Sequence, residues 1–121
     1  MPQVFRAMIW QAILPDGWQA RGGRSGEDEL VRLWNPEGVG RLTVITCTEN
    51  KAPPRNGQAQ PFQGKLHGTT FQVAGGDQFF RHWTLLCGGA WIYLQYSCAT
   101  KNAEIERADV DEIVQSISEL V

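Results

Sequence analysis

The longest apolar and aromatic stretch, Gln78 to Cys98 (QFFRHWTLLCGGAWIYLQYSC), runs in two ribbons on either side of Gly88-Gly89. Ribbons rich in aromatic and branched residues read as strands, and a glycine pair is where a two-residue loop finds positive φ cheaply, so the stretch predicts a β-hairpin. With Gly88 and Gly89 as the loop, Cys87 faces Ala90, Leu85 faces Ile92, Trp83 faces Leu94, Arg81 faces Tyr96 and Phe79 faces Cys98. That side is the expected core. The other side holds Phe80, His82, Thr84 and Leu86 opposite Ser97, Gln95, Tyr93 and Trp91. A face left to water should be mostly polar, and this one is half apolar. Phe80, Leu86, Trp91 and Tyr93 are therefore expected either to be covered by another layer of the chain or to be offered to a partner.

The rest of the chain extends the hairpin pattern. Val4 to Leu14 predicts one strand, closed by the turn residues Pro15-Asp16-Gly17. Ala20 to Asp28 (ARGGRSGED) has no period and predicts an exposed loop; its glycines lack the spacing and the Lys-Ser/Thr of a phosphate-binding loop. Glu29 to Trp34 and Arg41 to Thr48 predict a second hairpin. Registering Leu33 on Leu42 puts Val31, Leu33, Leu42 and Val44 on one face and sets Trp34 across from Arg41, a pair suited to a cation–π contact. Glu49 to Pro61 carries three prolines and predicts a long loop. Phe62 to Leu66 and Thr69 to Ala74 predict a narrow hairpin turning at His67-Gly68, and Gly75-Gly76-Asp77 turns the chain into the central hairpin.

After Cys98 the period changes from two to 3.6. Val110, Ile113, Val114, Ile117 and Val121 fall on one stripe, with Glu106 and Ala103 further back on it, and this predicts an amphipathic C-terminal helix capped by Thr100 or Asn102. The fold class is α+β: an antiparallel β-sheet built of consecutive hairpins, packed against that helix.

Composition narrows the function classes. The 121 residues fit a single domain, 1–121, with a formal charge of −2 and no run of Lys or Arg, so neither nucleic acid nor an anionic membrane surface is a favoured partner. The apolar segment Ala7 to Leu14 is broken by Gln11 and lacks a cleavage site, and nothing approaches the ~20 apolar residues of a membrane span, so a soluble cytoplasmic chain is expected. Cys47, Cys87 and Cys98 stand at unrelated spacings and read as buried thiols. His67 and His82 have no motif around them, the Cys and His residues show no ligand spacing, and Glu27, Asp28 and Glu29 read as one solvated cluster, with Glu37 and Asp77 as isolated carboxylates. No catalytic, cofactor-binding or metal-ligating residue is assigned, and no cofactor is expected.

The order LPDGW, WNPEGVGRLTV, HGTTFQV, HWTLLCGGAWIYLQYSCAT and a terminal DEIVQSISEL resembles the PsbP-like superfamily (the Mog/PsbP/DcrB-type fold). The resemblance implies an antiparallel sheet packed on helices in a small bacterial member and a non-enzymatic protein-binding role such as that of an adaptor chaperone. Immunity-type proteins share this size and chemistry, and the half-apolar face suits another protein or a second copy as partner. The alternative is a small-molecule carrier or enzyme with an apolar cavity between sheet and helix.

Overall fold

The computed structural model describes residues 2–47 and 59–120. The strands are β1 (Gln3–Arg6), β2 (Trp10–Leu14), β3 (Gln19–Ser25), β4 (Asp28–Trp34), β5 (Gly40–Cys47), β6 (Gln60–Gln63), β7 (His67–Gly75), β8 (Gln78–Cys87), β9 (Ala90–Ala99) and β10 (Ser118–Glu119). A 3-10 turn at Thr100–Asn102 leads to the helix α1 (Arg107–Ser116), which precedes β10. Seven strands form one antiparallel sheet in the order β3-β4-β5-β9-β8-β7-β6, and β1-β2-β10 form a small second sheet.

The two sequence-predicted registers are the ones observed. Cys87 pairs with Ala90, Trp83 with Leu94 and Phe79 with Cys98, and Gly88 takes the positive φ (61°) that the loop requires. Leu33 pairs with Leu42 and Trp34 with Arg41. Among the described residues the cation–π contact is not the expected one of Arg41 with Trp34 but that of Arg81, whose guanidinium carbon lies 4.6 Å from the centroid of the Trp83 ring. Inward residues of β4, β5, β8 and β9 are buried in alternation, as a sheet with one covered face must be. Their cover comes from two sources. Val110, Ile113 and Val114 of α1, and Ile117, the extended residue that ends the helix one turn short of the expected stripe, lie in the same core cluster, as do Trp10, Ala12 and Leu14 of β2. Each of the Val, Leu and Ile side chains among these, taken fully out of water, contributes about 1.5–3 kcal/mol. Two of the buried indoles donate to side-chain oxygens: Trp10 Nε1 to Thr46 Oγ1 at 3.1 Å and Trp18 Nε1 to Asp109 Oδ2 at 3.0 Å.

Four local expectations are corrected. Val4 to Leu14 is two strands, not one: the chain reverses at 7–9, where the Ala7 N–H donates to Trp10 O at 2.8 Å, and Phe5 then pairs with Ala12. Ala20 to Asp28 is mostly strand; β3 pairs with β4 along its whole length, and only Gly26-Glu27 turns, with Gly26 at φ 64°. The hairpin expected at His67-Gly68 turns instead at 64–66, and both His67 and Gly68 lie in β7. The helix begins at Arg107 with Glu106 at its N-cap and no side-chain cap, while Thr100 starts the 3-10 turn, its hydroxyl donating to Gly76 O. Residues 48–58, which include most of the expected loop Glu49 to Pro61, and Val121 of the helical stripe lie outside the described residues.

Candidate functional site

Helix and small sheet both pack on one side of the seven-stranded sheet, and the other side carries the candidate surface. Among the described residues no outward position of the seven strands is buried. The registers sort these positions into four cross-strand rows. Nearest the Gly88-Gly89 loop, Asp28, Cys47, Trp91, Leu86 and His67 follow one another across β4, β5, β9, β8 and β7. The next row is Leu30, Ile45, Tyr93, Thr84 and Thr69. Arg32, Thr43, Gln95, His82 and Phe71 make the third. Trp34, Arg41, Ser97, Phe80 and Val73 make the fourth.

All four sequence-predicted surface residues lie on this outer face, in two groups. Leu86, 45% exposed, sits directly opposite Trp91, and Tyr93 is one row away on the same strand as Trp91. Phe80 is three rows from Leu86 and belongs with His82 and Phe71, whose rings stack at 4.6 Å with an interplanar angle of 17°. Sequence reasoning missed Leu30 and Ile45, which pair with each other and continue the apolar row beside Tyr93. The signal was available: placing Val31 and Val44 inward puts their chain neighbours Leu30 and Ile45 outward. It missed Phe71 and Val73 because the strand they share was read with a turn displaced by three residues.

The electrostatics of this face differ from those of the chain. Arg21 pairs with Arg32, Arg41 stands diagonal to Arg32 on the next strand, and Asp28 is the acid among the outward positions. Like charges in direct opposition cost energy unless something answers them. Burial lowers the pKa of His82, disfavouring the charged imidazolium beside the rings of Phe71 and Phe80; burial, and then the neighbouring Cys47, raises that of Tyr93.

Two polar features lie off this face. Glu106 is 6% exposed, and its Oε1 accepts from Gly40 N–H at 2.8 Å, Val39 N–H at 3.2 Å and the Tyr96 hydroxyl at 2.9 Å. Its Oε2 lies against Gly38, where a Cβ would collide with it. The carboxylate is thus shut in by backbone and ties the 35–40 turn to β9 and the start of α1. A polar cleft of about 490 Å³ beside the helix is lined by Gln60, Thr70, Gln72, Arg81 and Arg107. Both of its arginines already carry a carboxylate, Asp111 on Arg81 at 2.7 Å and Glu104 on Arg107 at 2.8 Å, so the cleft has little net positive charge to offer an anion.

The residue types that do chemistry are dispersed. His67 and His82 stand on the outer face two rows apart, while Cys87 and Cys98 point inward at opposite ends of the hairpin; the Cys87 thiol donates to Ile9 O and is raised in pKa by burial and by Glu119. Among the described residues no three His, Cys, Asp or Glu side chains gather as metal ligands would, and no helix is long and apolar enough to cross a membrane.

No family model and no curated protein match this chain. A solved crystal structure from Bacteroides thetaiotaomicron is similar over 93% of this chain at a TM-score of 0.66 and 11% identity. The likeness is one of fold, and the chain spans 45% of that neighbour's length.

Proposed function

We propose that this chain is a non-enzymatic protein-binding module whose docking surface is the outer face of the seven-stranded sheet. One observation carries the reading: Leu30, Ile45, Tyr93, Trp91 and Leu86 form a contiguous apolar patch that no described layer of the chain buries. A patch of this kind on an otherwise well-filled fold marks an interaction site. The resemblance of the sequence to the PsbP-like superfamily supports the same role, since protein binding is the function that scaffold commonly serves. A carrier or enzyme reading needs a cavity between sheet and helix. Val110, Ile113, Leu85, Ile92 and Leu94 occupy that space at 0–2% exposure within a single cluster, which favours the binding reading. Site-specific photo-crosslinking from position 86, compared with position 101, tests the proposal: a protein captured from position 86 alone supports it.

A further inference from the structure

The outer face is arranged to match itself. β9 is the middle strand of seven, so a two-fold axis running above β9 and along it lays β5 of one copy over β8 of the second and β4 over β7. A rotation about that axis keeps each cross-strand row on itself, and the four rows then pair in a chemically consistent way. Ile45 falls over Thr84 of the second copy, Cys47 over Leu86, and Trp34 over Val73. Arg32 falls over the ring of Phe71 and Arg41 over that of Phe80, so the arginines that stand together on one copy meet aromatic faces on the other. Asp28 falls over His67, an imidazole N–H donor for its carboxylate. Trp91 and Tyr93 lie near the axis and meet their own counterparts.

We infer that the occupant of this face is a second copy of the chain, bound as an isologous sheet-on-sheet dimer in this register. The inference rests on the outer-face reading above and adds the partner to it. A two-fold interface must satisfy every pairing twice, and here the basic side of the face is answered by its aromatic side. An axis across the strands instead would set the arginines over Leu30 and Cys47 and leave their charge unanswered. The area suffices as well. Five strands of four outward residues, at strand spacings of ~4.8 Å and ~6.7 Å between outward residues, project roughly 640 Å² before side-chain relief is counted, close to the ~800 Å² per partner of a standard interface.

Sedimentation equilibrium tests the inference on the chain itself. The unmodified chain is expected to dimerise, and Trp91→Glu to raise the dissociation constant at least ~100-fold by setting two carboxylates against each other, with the near-ultraviolet circular dichroism of the fold retained. The register is read by a charge exchange. Asp28→Lys and His67→Glu should each weaken the dimer about tenfold, and the two together should recover it to within about threefold, a coupling that only residues facing each other show. The exchange also decides the matter if Trp91→Glu does not fold. A dimer that the exchange fails to rescue overturns this register. A chain that stays monomeric at all concentrations overturns self-pairing, yet leaves the outer face in place if position 86 still crosslinks to a different protein.

Discussion

Tyr96 donates its hydroxyl to Glu106 Oε1 at 2.9 Å, joining the middle strand of the sheet to the residue at the N-cap position of the helix. Both groups are buried, at 1% and 6% exposure, and this carboxylate also holds the amides of Val39 and Gly40. A buried carboxylate stripped of one donor bears the desolvation cost of the vacant lone pair, so Tyr96→Phe should destabilise the fold by about 1–3 kcal/mol. Urea unfolding measures this, and an unchanged midpoint would remove the network from the account.

The same contact sets an alkaline limit. Burial first, and then the hydrogen bond to Glu106, hold the Tyr96 phenol above its ordinary value near 10. The folded chain therefore keeps a proton that the unfolded chain releases above pH 10. The stability this contributes is fully present below that pH and is lost as pH rises beyond it. Stability should fall between pH 10 and 11 more steeply in the unmodified chain than in Tyr96→Phe; equal slopes would contradict the assignment.

His82 gives the opposite dependence. Its pKa is lowered by burial among Phe71, Phe80 and Gln95, so between that value and the ordinary 6.5 the unfolded chain binds the extra proton. The contribution is present above pH 6.5 and is lost as pH falls through the folded value. His82→Gln should flatten the stability profile between pH 7 and 5 measured by thermal unfolding. If the profile keeps its slope, the ring is not held as described.

Two glycines in strands should respond in opposite ways to the same change. A Cβ on Gly68 would collide with the carbonyl of Thr84 on the next strand, whereas one on Gly22 meets nothing within 4 Å. Gly68→Ala must push β7 off β8 and should cost more than about 2 kcal/mol, while Gly22→Ala should be neutral or stabilise by up to about 1 kcal/mol. Chemical denaturation of the two variants side by side checks both.

The helix gives the coarser test. Ile113 is fully buried among sheet and small-sheet residues. Ile113→Ala should cost about 2–5 kcal/mol, and Ile113→Asp should leave the chain unfolded or aggregated, since a carboxylate there has no partner. A well-folded Ile113→Asp variant would mean that the helix is dispensable.

How much of this was legible depended on where turn chemistry and periodicity agreed. Gly88-Gly89 fixed the register of β8 and β9, and with it the sidedness of Phe80, Leu86, Trp91 and Tyr93, because a one-residue slip would have reversed every side chain. Leu33 on Leu42 did the same for β4 and β5. The reversal between Phe5 and Trp10 went unseen because Ala7, Met8 and Ile9 carry no turn residue and continue an apolar run. The strand β3 went unseen for the converse reason: its Arg21-Gly22-Gly23-Arg24 core has no strand propensity and is held by pairing along β4. The outer face was visible only in its central third. The Leu30–Ile45 pair meets Tyr93 only through the pairing of β5 with β9, strands distant in sequence, which no local pattern records.

The claim on which the functional account rests is that a protein docks on the face carrying Leu86, Trp91 and Tyr93. Its most direct measurement places a photo-crosslinking benzoylphenylalanine at position 86 and, separately, at position 101, and reads the products by mass spectrometry. The expected result is a discrete protein adduct from position 86, a second copy of the chain or another protein, that is absent from position 101 and disappears when Trp91→Glu is added. No adduct at position 86, or the same adducts from both positions, would contradict it.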